Sequence, residues 1–280
     1  MDTIILSIIV VAVIGLILGI CIAVAAKKFA VEVDPRIDEV TGMLPGANCG
    51  GCGFAGCSDL AKNIVEGNAP VNKCPVCTPE AVCRIAEFLG QKVEESEKKV
   101  AVVLCSGTLS HSKMGAKYNG VLDCRSAVQL NGGSKDCRFG CIGFGTCAHA
   151  CKFGAIEVID GLAVVHPELC VGCGQCAEAC PRKLIKLVPA SARVHIYCNS
   201  LEKPALRMKK CTGSCIACRK CVKVEPDKFN VQGFMVRAIY TNPPDESVIE
   251  KAQCPRKCLL TPEQHLQAVR DGIKKKEGAA

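Results

Sequence analysis

Twenty-four of the 280 residues are cysteine, and sixteen of these fall into sets that can each close a four-thiolate cage. Ligation of this density constrains a chain more than hydrophobic patterning does, because a site absent from the unfolded state turns binding energy into folding energy. The first set, Cys49, Cys52, Cys57 and Cys74, is spaced C-x2-C-x4-C-x16-C. The central run, Cys170, Cys173, Cys176 and Cys180 before Pro181, is the C-x2-C-x2-C-x3-C-P pattern, in which the fourth cysteine serves a neighbouring 4Fe-4S cluster. Four thiolates suit zinc as well, but tight triplets ending in Cys-Pro favour iron and sulfur.

Only eight Phe, three Tyr and no Trp are available to pack two or three small domains, so the apoprotein is expected to be largely disordered. Nothing resembles a cleaved signal peptide, and C-x2-C spacing is poor for bridging distant loops, so a reducing compartment is the better reading than a disulfide scaffold. The formal charge of +8 counts thiols as neutral. Each 4Fe-4S core with four thiolates adds about −2, so four clusters would cancel the excess. The basic residues need not signal nucleic acid, and no aromatic-basic interleaving of the kind that stacks bases is present.

Residues 3–26 carry no charge and are long enough to cross the hydrocarbon layer, which predicts a single transmembrane helix. Asp2 precedes the span and Lys27 and Lys28 follow it, which places the remainder in the cytoplasm at the inner (cytoplasmic) membrane. Cys21 within the span reads as a packed thiol. A charged connector from Lys28 to Met43 leads to the glycine-rich loop around Cys49, Cys52 and Cys57, whose glycines let backbone wrap a cluster and offer amides to its sulfurs. Gly51, Gly53 and Gly56 match G-x-G-x-x-G, but no strand precedes them, so the dinucleotide reading fails. Ser58 is expected to cap a helix over Asp59 to Glu66, with Cys77 and Cys83 structural. Gln91 to Lys99 reads as a linker, followed by a buried strand Val100 to Leu104 and a turn at Asn131-Gly-Gly.

Adding 74 to Cys124, Cys137, Cys141, Cys147 and Cys180 gives Cys198, Cys211, Cys215, Cys221 and Cys254, and the tail Cys180-Pro-Arg-Lys183 recurs at Cys254-Pro-Arg-Lys257. The chain therefore reads as two ferredoxin-like units. Cys151, Cys170, Cys173 and Cys176 have no cysteine counterparts, and their joint loss assigns them to one cluster. Cys137, Cys141, Cys147 and Cys180 remain for its neighbour. The second unit supplies Cys215, Cys218, Cys221 and Cys254, with Cys258 a rival to Cys254 and Cys211 spare or displacing one of the triplet. Cys105, Cys124, Cys198 and Cys211 could build a fifth cluster or be buried thiols at strand ends. The expected fold class is α+β: a transmembrane anchor (1–28), a four-Cys 4Fe-4S domain (29–90), a connecting segment (91–134), a dicluster ferredoxin-like unit (135–190), a degenerate repeat (191–259) and a basic C-terminal segment (260–280) with a helix over Pro262 to Lys275.

The anchor, the Leu44 to Cys57 motif with Cys74, and the dicluster unit, in that order, resemble the B subunit of the Rnf complex as far as Pro189. Beyond it the chain departs from the shortest members by adding the second unit. The resemblance implies a component of a membrane assembly coupling electron flow between ferredoxin and NAD to sodium or proton transport; the cysteine sets themselves give at least three 4Fe-4S clusters, four when every set is filled and five with the additional thiols. Its implied partners are the other membrane and peripheral subunits and soluble ferredoxin. Such a chain is an enzyme only as an electron-transfer subunit, with no catalytic acid-base residue. Arg207 to Lys210 and Arg219-Lys220 are candidates for steering an acidic ferredoxin. The alternative is a redox sensor or cluster-transfer scaffold. A self-contained oxidoreductase lacks any nucleotide or flavin fingerprint.

Overall fold

The computed structural model describes residues 2–28, 34–93 and 97–277. Helix α1 (Asp2–Lys28) contains Ile5–Ala25, long and apolar enough to cross a membrane and unburied by the rest of the protein. Its Ile, Val and Leu side chains from Ile5 to Val24 are exposed, and Cys21 is exposed with them. So much contiguous apolar surface is unfavourable in water and suits a hydrocarbon layer.

Part of the expected connector is helical. Asp34 accepts from the Arg36 amide at 2.9 Å and Pro35 opens α2 (Pro35–Met43). Helices α3 (Cys57–Val65) and α4 (Pro79–Leu89) close with it around Val40, Leu60, Ile64, Val82 and Ile85. The helix expected from Asp59 starts two residues earlier, and Ser58 lies inside it. The Asn48 side chain, nine residues upstream, takes the free Cys57 amide at 2.7 Å, so the cap comes from the cysteine loop.

The segment expected to connect the domains is built into the core. Strand β1 (Lys99–Val103) is buried from Val100 onward, as its run of β-branched residues demands. After it come α5 (Cys124–Leu130), α6 (Thr146–His149), the hairpin β2 (Ile156–Ile159) and β3 (Leu162–Val165), α7 (Gln175–Ala179) and β4 (Ile185–Pro189). β1 pairs antiparallel with β4, Val100 opposite Val188. Residues 94–96 of the Glu/Lys-rich stretch lie outside the described residues.

The element order then recurs. β5 (His195–Ile196) and α8 (Pro204–Lys210) precede α9 (Lys220–Val224), the hairpin β6 (Phe229–Gln232) and β7 (Met235–Ala238), α10 (Ser247–Ala252) and β8 (Leu259–Leu260). As β4 pairs with β1, so β8 pairs antiparallel with β5, and β6 with β7. Backbone conformation recurs too: Gly145 and Arg219, at the offset of 74, both cap their helices with positive φ (81° and 57°). Ala217, equivalent to Gly143, also has positive φ (53°), a conformation that costs a residue with a Cβ about 1 kcal/mol. Ala217→Gly should therefore stabilise the second unit by about 1 kcal/mol, measured as a raised midpoint in anaerobic denaturant titration. Finally α11 (Pro262–Glu277) starts where expected, with Thr261 and Gln264 bonded reciprocally at 3.2 and 3.3 Å.

Candidate metal centres

In the N-terminal loop, Gly50 and Gly53 adopt φ of 72° and 89°, which bends the chain between Cys49 and Cys57. Cys52, Cys57 and Cys74 all pack at the core of α2, α3 and α4. Burial pushes the Cys74 thiol up, with Cys52 and Cys57 adding to the rise. Cys77 lies beside Cys74, whereas Cys83 is exposed on α4 and not packed in the core as a structural thiol would be. Cys49 faces Cys173 of the central run, and a methyl group at Gly51 would sit 2.6 Å from the Cys173 carbonyl oxygen. Gly51 therefore serves backbone packing, not phosphate binding.

Cys151, Cys170, Cys173 and Cys176 line one cavity of about 320 Å³. α6 delivers Cys151 at its end and α7 carries Cys176. β1 supplies both a wall and a donor, because the Ala101 amide donates to Cys170 Sγ at 3.3 Å. Gly172 must lack a side chain there: its φ is 71° and a methyl would lie 2.3 Å from the Lys99 carbonyl oxygen.

The neighbouring cavity, about 400 Å³, is lined by Cys141, Cys147 and Cys180 as predicted, but its fourth cysteine is Cys124 and not Cys137. Cys124 is brought there by a contact that spacing does not encode: its amide donates to Thr146 Oγ1 at 2.8 Å, and that hydroxyl donates to Asp123 at 2.8 Å. Cys137 opens instead onto a separate cavity with Cys105, Cys198 and Cys211. The set Cys105, Cys124, Cys198 and Cys211 is thus not brought together. Arg182, beside Cys124 and Cys180, donates to the carbonyls of Cys137 (2.9 Å), Gly140 (2.6 Å) and Gly132 (2.6 Å), and burial lowers its pKa.

In the second unit Cys215, Cys218, Cys221, Cys254 and Cys258 line a cavity of about 380 Å³. The Ala217 amide donates to Cys215 Sγ at 3.4 Å. Cys254 Sγ and Cys258 Sγ are 3.6 Å apart, closer than two thiolates bonded to different corners of a cluster stand, so one of the pair hydrogen-bonds the other. Cys258 is 2% exposed while Cys218 is exposed, with exposed Arg219, Lys220 and Lys223 beside it.

These donor sets fit iron and sulfur better than a lone ion. Zinc needs four sulfurs about 2.3 Å from one point, and among the described residues no three His, Cys, Asp or Glu converge so. The thiols instead ring cavities, and amides are aimed at their sulfurs, as in cluster sites. Burial pushes Cys147 and Cys176 up to about 12 and Cys141 and Cys221 up to about 11, so each is a neutral thiol at pH 7 and would have to give up its proton to bind iron. Loading must therefore release protons, and iron retention under chelator should fall as the pH is lowered from about 8 to about 6. Retention that does not change with pH would contradict this.

Two family models match. The one described as "Putative Fe-S cluster" covers residues 44–76, and the 4Fe-4S binding domain covers residues 163–186. With these matches on the cysteine sets, the chain is an iron-sulfur electron-transfer protein. The B subunit of the ion-translocating oxidoreductase complex of Methanosarcina acetivorans is 47% identical over 221 residues, 79% of this chain and 84% of that protein. Its counterpart in the Na(+)-translocating ferredoxin:NAD(+) oxidoreductase complex of Acetobacterium woodii is 46% identical over 72% of this chain and 61% of its own length. The counterpart in the proton-translocating ferredoxin:NAD(+) oxidoreductase complex of Clostridium ljungdahlii is 39% identical over 77% of this chain and 76% of that protein. The chain belongs to the B-subunit family of the Rnf ion-translocating oxidoreductase complex.

Proposed function

We propose that this protein is anchored in the cytoplasmic membrane by α1 and relays electrons on the cytoplasmic side between reduced ferredoxin and its membrane partners. On this reading Cys49, Cys52, Cys57 and Cys74 hold one 4Fe-4S cluster, Cys151, Cys170, Cys173 and Cys176 a second, and Cys124, Cys141, Cys147 and Cys180 a third. Cys215, Cys218, Cys221 and Cys254 hold a fourth. The two recurring blocks are ferredoxin-like units, with β1 and α5 belonging to the first. When bound, such clusters supply one-electron transfer at potentials set by burial and by hydrogen bonds to sulfur.

One observation carries the reading: the first three cysteine sets abut in series. Gly51 seats the N-terminal loop on Cys173, and Cys147 lies within electrostatic reach of Cys176. The chain's own work is positional. β1 holds the Cys170 loop through the Ala101 amide and through the close approach of Lys99 to Gly172, while Asn48 and Lys152 tie the N-terminal loop down, Lys152 Nζ donating to the Asn48 carbonyl at 3.2 Å.

The docking surface is narrower than the sequence suggests. Arg207 is 1% exposed and Lys210 is paired with Glu202 at 2.5 Å, which removes both as steering groups. Lys209 of the first run stays exposed, and Arg219, Lys220 and Lys223 are exposed around Cys218. Reversing these three charges to Glu should slow second-order reduction by ferredoxin roughly tenfold or more at low salt and flatten its ionic-strength dependence, with iron content unchanged. Stopped-flow mixing with reduced ferredoxin tests this, and an unaltered rate would remove the entry point from the account.

A further inference from the structure

The geometry points to a fifth 4Fe-4S site, held by Cys105, Cys137, Cys198 and Cys211, in the cavity between the two recurring units. It rests on the reading that the other sets hold clusters, and goes beyond it by giving Cys137 and three thiols outside the four sets one shared role.

All four cysteines line a single cavity of about 420 Å³. A methyl at Gly140 would lie 3.4 Å from Cys137 Sγ and 3.6 Å from Cys105 Sγ, and one at Gly107 would lie 3.4 Å from Cys105 Sγ and 3.7 Å from Cys211 Sγ. These sulfurs thus crowd around two glycines, leaving space where a side chain would intrude. Cys211 is within electrostatic reach of Cys105, Cys198 and Cys137 together. The amides of Gly107 and Cys141 both donate to Cys105 Sγ at 3.3 Å.

Two buried cations at the cavity wall favour an anion here. Lys135 (6% exposed) lines the cavity, with Nζ donating to the carbonyls of Gly107 (2.6 Å), Cys141 (3.1 Å) and Gly161 (2.5 Å). Arg207 lines it too, donating to the carbonyls of Glu202 (2.6 Å), Cys215 (2.8 Å) and Phe234 (2.7 Å). Each is satisfied by backbone carbonyls and neither makes an ion pair among the described residues, so both leave their positive charge for an anion in the cavity to offset. A cluster with four thiolates carries about −2, which matches two buried cations. Ser106 Oγ, buried at the cavity wall and unpartnered among the described residues, is a further donor available to sulfur.

The repeat explains why the site exists. Cys137 and Cys211 are equivalent at the offset of 74, one from each unit, and Cys218 frees Cys198 because the first unit has Phe144 at that position. The site also closes the gap in the series: Cys105 adjoins Cys141, and Cys198 adjoins Cys215.

The test is iron and acid-labile sulfide per chain in the anaerobically reconstituted full-length protein. About twenty of each are expected, with about four of each lost in Cys198→Ala and none in Cys83→Ala. A wild-type content of about sixteen, or a Cys198→Ala variant that keeps every iron, would overturn the fifth site. Cys176→Ala is the separate arm, since it must lose about four irons if the four-site reading holds, whether or not the fifth site does. Should Cys198→Ala not fold, the wild-type count still decides. Lys135→Met adds a readout that leaves every thiol in place: it should lower the reduction potential of the cluster whose signal is missing from Cys198→Ala, and a shift confined to clusters that Cys198→Ala retains, or no shift, would count against the site.

Discussion

Stripping iron from the reduced protein with a chelator is expected to unfold most of residues 34–277 and to leave α1 helical in detergent. The physical reason lies in where the thiols are. Cys105, Cys141, Cys147, Cys170 and Cys176 are themselves members of the largest hydrophobic core, beside Val100, Val102, Leu162 and Val164. The sheets around them are all two-stranded, a size that is marginal without further support. On the proposed assignment, loss of the clusters would leave the buried Lys135 and Arg207 and the half-buried Arg182 facing empty cavities, and the ligation energy that is folding energy would be gone. Far-UV circular dichroism during anaerobic chelation should lose the strand signal together with the visible cluster absorbance. An apoprotein that kept its strands and a sharp thermal transition would show that ordinary packing suffices.

Gly143→Ala should have the largest effect of any single methyl group. Gly143 has φ of 93°, and an added Cβ would lie 2.1 Å from the Gly161 carbonyl oxygen, the same oxygen that accepts from Lys135 Nζ at 2.5 Å. The methyl must therefore push hairpin β2–β3 away from the Cys141 loop and break a buried cation's hydrogen bond. The strain and the clash together cost about 3 kcal/mol or more, a fall in Tm of roughly 6–12 °C for a domain of this size. About four irons should be lost with it, those of Cys124, Cys141, Cys147 and Cys180. Gly154→Ala is the control. It shares a positive φ (63°) but has nothing within 4 Å, so only the backbone cost of about 1 kcal/mol applies.

Much of this architecture is legible in the residue order because cluster ligands have characteristic spacing. The Cys170 to Cys180 run, the loss of four matched positions in the second unit, and the 74-residue offset fix which elements recur. The membrane-length helix and the α11 cap are local signals and are read correctly to within two residues. What spacing cannot supply is the partner of a thiol far away in sequence. Cys124 and not Cys137 lines the cavity of Cys141, Cys147 and Cys180 because a threonine hydroxyl 22 residues from Cys124 holds its amide there, while β1, paired with β4, carries Cys105 to the cavity that Cys137 lines. The cations are equally opaque: Arg207 sits in a basic run that reads as a steering segment for an acidic ferredoxin, yet its head turns inward to three carbonyls. A clue is present all the same, since Cys137 and Cys211 correspond at the repeat offset and so should share an assignment.

Mössbauer spectroscopy of the iron-57-labelled, anaerobically purified protein tests the central claim most directly. Its prediction is that essentially all iron appears in the valence-delocalised signature of 4Fe-4S clusters, with inorganic sulfide equal to iron. Zinc bound at these thiols, disulfides among Cys170, Cys173, Cys176 and Cys180, or iron without sulfide would contradict it.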